Sequence, residues 1–334
     1  MKILCLSNKM PYPPIDGGSI ATFNIIDSLV NAGNDIHLLS FNTSKHFVDE
    51  KDIPKPIKEN FKLKSIYLNT KLSFLKLSIN FIFSKLPYIA ERFYSKKFKK
   101  ELKNILSEAN FDIVQIEGLY MCLYIPTIRK HSKALIAYRA HNIEHEIWKL
   151  TAANKKGKLI KFYLNNMANR ILNLEKKVLN QYDLLIPITE RDNEVFYNLG
   201  NRNPSLVMPA GIDYQKYETK TTSTTNKNIF HIGALDWTPN QEGLIWFIEN
   251  CIPILKTSNP DIKLHIAGRN APEWFVKKIN IPEIVYHGEI DNALKFMGKY
   301  GIMIVPLLSG SGMRIKIIEG MALGKVIVST PLGT

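Results

Sequence analysis

Short apolar runs alternate along this chain with longer stretches in which apolar positions recur every three or four residues. KILCLS (2–7) has the unbroken apolar character of a buried strand, and a Pro/Gly loop follows it to Gly18. A helix fits 19–31, closed by Gly33. DIHLLSF (35–41), KSIYLN (64–69), FDIVQIEG (111–118) and KALIAYRA (133–140) read as strands. A helix fits 156–180, then a strand at YDLLIPIT (182–189), a helix at 190–198, and SLVMPAG (205–211) as another apolar run. The polar stretch ETKTTSTTNKN (218–228) lacks apolar anchors and reads as a linker. After it the alternation restarts: IFHIGAL (229–235), a helix at 240–256, IKLHIAGR (262–269), IVYHGEI (284–290), a short helix, GIMIVPLL (301–308), a helix at 313–323 and KVIVST (325–330).

Strands alternating with helices predict βαβ units and parallel sheets. The expected fold is α/β with two doubly wound, Rossmann-like domains, 1–215 and 229–334, joined by a linker at 216–228. Ligands of such sheets bind beyond the carboxyl ends of the strands, so a cleft between the domains is the expected site. The chain stops at STPLGT, directly after a strand, where a doubly wound domain would continue into a helix. The C-terminal domain therefore reads as incomplete at that end.

Composition narrows the partners. With 44 Lys+Arg against 30 Asp+Glu, the net charge of +14 favours anionic ligands or surfaces. Cys5, Cys122 and Cys251 are far apart, which suits thiols in a reducing compartment rather than disulfides or a zinc site. The N-terminal apolar run is too short for a signal peptide. The most apolar stretch, LSFLKLSINFIFSKLPYIA (72–90), is interrupted by Lys76, Lys85 and Pro87 and cannot span a bilayer. A cytoplasmic protein is expected. Segment 71–103 holds nine Lys/Arg among seven Phe and Tyr residues, against Glu91 and Glu101. It reads either as a helix pair resting on the anionic inner face of a membrane or as a solvated basic helix. No motif for nucleic acid occurs.

The stretch GSGMRIKIIEG (310–320) carries candidate chemistry. Small residues precede a helix start, and Arg314 and Lys316 add fixed charge beside amides that suit an anion. It is not a P-loop, and the bland alternative is a strand–loop–helix turn with Lys316 and Glu319 as a solvated pair. Gly17 and Gly18 would let backbone approach a ligand in the first βα loop. HNIEH (141–145) formally matches an inverted zinc-peptidase motif, but His141 ends a strand and Asn142 can cap the next helix, so no metal site is expected.

SGSGMRIKIIEGMALGKVIVSTPLG resembles the donor-binding segment of the retaining, family 4 glycosyltransferases with the GT-B fold, closest to a bacterial exopolysaccharide-associated branch. PYPPIDGGSIATFNII (11–26), RAHNIEHEIW (139–148), VMPAGID (207–213), HIGALDWTPNQEGLIWF (231–247) and IAGRNAP (266–272) resemble further segments of that group in the same order. The resemblance implies transfer of a sugar from a UDP- or GDP-linked donor to an acceptor hydroxyl on a glycan or lipid, in capsule, exopolysaccharide or lipopolysaccharide assembly, without a metal or other cofactor. It implies that Arg314 and Lys316 hold the diphosphate, Glu319 the ribose, and Ser311, Gly312 and Met313 the sugar. Gly17, Gly18, Gly268, Arg269 and His287 join the donor site. His141 contacts the donor sugar or the acceptor, and Glu117 and Asn142 the acceptor. Two departures stand out. The first glutamate of the family's E-x7-E is Ser311 here, and Ala234 and Glu242 lie where many members carry a basic pair. The alternative is a non-catalytic GT-B protein that binds a nucleotide-sugar or glycan.

Overall fold

A computed structural model describes residues 1–155, 157–213, 217, 228–309 and 313–333. The chain divides into two compact units, Met1–Ala210 and Gly211–Thr334. The division falls slightly ahead of the expected boundary at 215. Of the expected linker 216–228, only Tyr217 and Asn228 lie within the described residues.

Unit 1 contains strands β1 (Lys2–Ser7), β2 (Asp35–Thr43), β3 (Lys64–Leu68), β4 (Ile113–Glu117), β5 (Leu135–Ala140) and β6 (Leu184–Pro187). Its helices are α1 (Gly17–Asn31), α2 (Lys55–Asn60), α3 (Phe74–Phe83), α4 (Tyr88–Glu91), α5 (Lys96–Glu108), α6 (Ile125–His131), α7 (Glu144–Ala153), α8 (Lys158–Val178) and α9 (Glu190–Leu199). The six strands are parallel in the order β3-β2-β1-β4-β5-β6. The winding direction therefore reverses between β1 and β4, which opens a ligand crevice at their carboxyl ends. Alternation along β1 sends Leu4 and Leu6 into one core and Ile3 and Cys5 into the core on the opposite face.

Unit 2 contains β7 (Ile229–Ile232), β8 (Leu264–Ala267), β9 (Ile284–Gly288), β10 (Ile302–Val305) and β11 (Val326–Ser329). Its helices are α10 (Thr238–Asn250), α11 (Ile252–Ser258), α12 (Glu273–Ile279), α13 (Ala293–Met297) and α14 (Ile315–Ala322). The parallel order is β11-β10-β7-β8-β9, so the switch point lies between β10 and β7. Ile229 and Phe230 again face opposite cores.

Three expectations are corrected. SLVMPAG forms no strand among the described residues; Ser205 makes one isolated bridge to Leu185. The helix expected over 240–256 is two, broken at Cys251, because Pro253 in the first turn of α11 has no N–H to continue α10. Asn142 does not cap α7. Instead Ile143 occupies the cap position, and the amides of Glu144 (2.8 Å) and His145 (3.4 Å) donate to Oε1 of the buried Glu175 on α8. Segment 71–103 forms α3, α4 and α5, of which α5 turns Phe98, Leu102, Ile105 and Leu106 into the core.

Candidate functional site

In unit 2, three chain segments converge where β7 and β10 diverge. β7 carries His231, the turn after it carries Gly233, α10 opens with Trp237 at its cap and Asn240 in its first turn, and α14 opens with Arg314 at its cap. Lys316 Nζ donates to Asn240 Oδ1 (3.2 Å) and reaches the Ile232 carbonyl (3.4 Å). Asn240 is fixed in turn by donating to the Ala234 carbonyl (2.8 Å). His231 Nδ1 lies 3.0 Å from the Ile304 carbonyl; a carbonyl only accepts, so Nδ1 carries the proton and Nε2 is left as a lone pair. Burial, reinforced by Lys316, holds the His231 pKa far below the ordinary range, so the ring is neutral.

The two cations are the unusual part. Arg314 lies with its guanidinium carbon 5.0 Å from the Trp237 ring, and its Nε and Nη2 are buried without hydrogen-bond partners among the described residues. Desolvation lowers its pKa. Desolvation, then the charge of Arg314, pushes Lys316 down to about 7. The hydrogen-bond acceptors of Lys316 are a carbonyl and an amide, neither of them anionic. Buried charge without a counter-charge is costly unless a ligand supplies one. Among the described residues no side chain caps α14, so its first amides add donors to the same place. A Cβ on Gly233 would meet Asn240 Nδ2 at 3.0 Å, Lys316 Nζ at 3.2 Å and His231 Nε2 at 3.4 Å, so glycine keeps this cradle open. One turn along α14, Glu319 Oε1 accepts from the Tyr217 hydroxyl (2.7 Å).

In unit 1, a second polar cluster sits beyond the carboxyl ends of β4 and β5. Glu117 is buried and paired in register with Arg139. Its carboxylate accepts from Arg139 Nη1 (3.1 Å), His141 Nε2 (2.5 Å), Gln115 Nε2 (2.5 Å) and Thr22 Oγ1 (3.3 Å). Burial alone would raise its pKa; Arg139 and His141 outweigh that and hold it at about 2. The ionised carboxylate accepts a hydrogen bond from the Nε2–H of His141, which fixes the orientation of that ring. Nearby, burial pushes Glu144 up to about 7 while Tyr120 donates to it (2.9 Å).

Residues 226–334 match the family described as glycosyl transferases group 1. The matched residues fall within the C-terminal unit, Gly211–Thr334. An uncharacterised 44.6 kDa protein in the cps region of Klebsiella pneumoniae is 26% identical over 352 residues, covering 100% of this chain and 84% of its own length. Among solved structures, Anabaena HepE in complex with UDP superposes with a TM-score of 0.65 at 15% identity, covering 100% of this chain and 81% of that one. Sucrose-phosphate synthase from Thermosynechococcus elongatus gives 0.69 at 14%, covering 100% and 82%. These likenesses establish the fold as GT-B.

In unit 2, Arg314 caps α14, and Lys316 and Glu319 lie on it. Met313 is half-buried just ahead of them, and Ser311 and Gly312 lie outside the described residues. Gly268 has an internal explanation: a Cβ there would fall 1.9 Å from the Gly233 carbonyl oxygen, so the glycine serves the packing of the β8 exit against the β7 exit. Arg269 contributes its carbonyl to the Leu235 amide (2.9 Å). His287 is drawn into a different cluster, with Nε2 2.9 Å from His265 Nδ1 and its ring against Phe296. In unit 1, Glu117 is not an exposed acceptor contact; it is buried and fully engaged in holding His141 and Arg139. Asn142 is half-buried and hydrogen-bonds Glu144. Gly17 and Gly18 form the first turn of α1, behind the Asp16 cap that accepts from the Ser19 amide (2.9 Å) and pairs with Lys9. His231, Gly233, Trp237 and Asn240 were not assigned roles from sequence. Their one signal was the short polar–glycine–aromatic run HIGALDWTPN directly after a strand.

Proposed function

We propose that this chain is a nucleotide-sugar-dependent glycosyltransferase that moves a hexosyl unit to an acceptor hydroxyl with retention at the anomeric carbon. The observation that carries this is the uncompensated Arg314–Lys316 pair at the uncapped start of α14. A nucleotide diphosphate supplies the missing charge. As the sugar–phosphate bond breaks, negative charge grows on the leaving diphosphate, and the two cations and helix amides stabilise it. Glu319 receives the ribose hydroxyls on the oxygen that Tyr217 does not occupy, and the amides of 312–313 meet the sugar. In unit 1, His141, oriented by Glu117, meets the donor sugar or the acceptor hydroxyl, and Gly17 and Gly18 let the backbone of the first turn of α1 approach substrate. The base is uridine in this reading, supported by HepE, whose solved complexes include UDP and UDP-glucose. No metal takes part, so chelation leaves activity unchanged. Work on cell-surface polysaccharide is supported by the relative in a cps region.

Calorimetric titration of UDP and GDP into the chain and into Arg314→Ala tests this. Loss of one charge-assisted phosphate contact should weaken UDP by about 2 kcal/mol, roughly thirtyfold. Folded protein that binds neither nucleotide would overturn the reading. Binding with no acceptor-dependent consumption of UDP-glucose would reduce the chain to a nucleotide-sugar-binding protein.

A further inference from the structure

Helix α3 inverts the usual rule of burial. Its one buried residue is Asn80, while Phe74 (85% exposed), Leu75, Ile79, Ile82 and Phe83 (81% exposed) face outward. Leu75, Ile79 and Ile82 fall at i, i+4 and i+7, so they form a continuous stripe. Polar contacts hold the helix in this orientation. Arg170 of α8 donates to the carbonyls of Asn80 (3.1 Å) and Phe81 (2.7 Å). Asn80 Nδ2 donates to Glu91 Oε2 (2.6 Å) and to the Leu86 carbonyl (3.1 Å). The outward stripe is thus set by the fold and is not a helix adrift from its core.

The stripe continues onto the first turns of α8. Leu159 is 86% exposed, Ile160 and Phe162 are exposed beside it, and Phe81 bridges the helices with its ring 6.4 Å from that of Phe162 and 5.6 Å from that of Tyr163. Exposed Lys71, Lys76 and Lys85 flank α3, and exposed Lys155, Lys158 and Lys161 flank the start of α8. Neither 71–90 nor 155–174 contains an Asp or Glu. Large apolar side chains within a border of six exposed lysines, against the single neighbouring carboxylate of Glu91 at the end of α3, match a bilayer whose headgroups are anionic. They match a second copy of the same face poorly, because its lysines would oppose these.

We propose that α3 and the first turns of α8 form a docking face that inserts into the interface of an anionic lipid bilayer. This goes beyond the transferase reading and does not depend on it: the face lies in unit 1, whereas the anion cradle lies in unit 2.

Co-sedimentation of the 334-residue chain with vesicles tests the proposal. Vesicles of phosphatidylcholine with about 30 mol % phosphatidylglycerol should carry the protein down, and phosphatidylcholine alone should carry little. Phe74→Ser with Phe83→Ser removes two protruding rings, so the thermal melt stays in place while vesicle affinity falls at least about tenfold. Lys76→Gln with Lys158→Gln should cost roughly tenfold on the anionic vesicles alone. UDP affinity of both double variants should match that of the parent chain. The proposal is overturned if the parent stays in the supernatant, if it binds neutral vesicles equally well, or if the Phe variant binds undiminished. It is equally overturned if light scattering shows a dimer that the Phe variant dissolves and no vesicle binding.

Discussion

Lys316 is where the chemistry of the cradle becomes measurable as a proton. Desolvation and Arg314 hold its pKa at about 7 in the free protein, against 10.5 for an ordinary lysine. A bound diphosphate restores the charged form, so binding above that pH must take up a proton. UDP affinity should be nearly flat below pH 7 and fall by about tenfold per pH unit above it. The apparent binding enthalpy should also vary with the ionisation enthalpy of the buffer. A flat profile from pH 6.5 to 8.5 would mean that Lys316 does not face the phosphates. The same shift has a stability consequence of defined sign. Because the folded-state pKa is depressed, the unfolded chain binds the proton more strongly, and stability rises with pH between about 7 and 10.5. Below that window the buried charge is a net cost. Lys316→Met should therefore stabilise the ligand-free protein at pH 6 by about 1–2 kcal/mol while abolishing nucleotide binding, checked by denaturant unfolding and titration side by side. At this scale the sequence disclosed the charged half of the cradle, since Arg314, Lys316 and Glu319 stand together. It hid the neutral half, because the roles of His231, Gly233 and Asn240 exist only once β7 and α14 are brought together.

Among the elements, the strands were the most legible, since most strands of both sheets are short, mainly apolar runs such as KILCLS or GIMIVPLL. The helices were less so, for two physical reasons. A proline can divide one apolar periodicity into two helices, as Pro253 does after α10. And a helix held by polar pins, like α3, carries its apolar stripe on the side opposite to the one periodicity assumes. Two element junctions invite substitution. A Cβ on Gly243 would fall 1.8 Å from the Pro306 carbonyl oxygen, so α10 touches the exit of β10 backbone to backbone. Gly243→Ala should cost about 3 kcal/mol in equilibrium unfolding, because neither backbone can yield cheaply. In unit 1, Glu175 takes the first amides of α7 and the His145 ring at once. Glu175→Ala leaves those donors unpaired inside the fold and should also cost about 3 kcal/mol, with loss of hydrogen-exchange protection centred on α7. A variant as stable as the parent would show that the cap is dispensable.

For the whole molecule, the charge of +14 acts in two ways that salt can separate. Arg314 and Lys316 work from a desolvated cradle with fixed donors around it, where mobile ions screen poorly. Lys71, Lys76, Lys85, Lys155, Lys158 and Lys161 are exposed, and their attraction to a charged surface decays over a Debye length of about 10 Å at 0.1 M salt and about 3 Å at 1 M. Raising salt from about 0.1 M to about 0.5 M should therefore weaken binding to anionic vesicles more than tenfold, leaving the apolar insertion of Phe74 and Phe83 as the residue of affinity. Over the same range the dissociation constant for UDP should rise by less than about threefold. Parallel titrations at the two salt concentrations decide the matter. If UDP weakens as steeply as the vesicles, the cradle is wet and its cations act as surface charge, and the desolvation that lowers Lys316 would have to be abandoned with it. If the vesicles hardly respond, the lysine border contributes nothing and the proposed preference for an anionic bilayer falls with it.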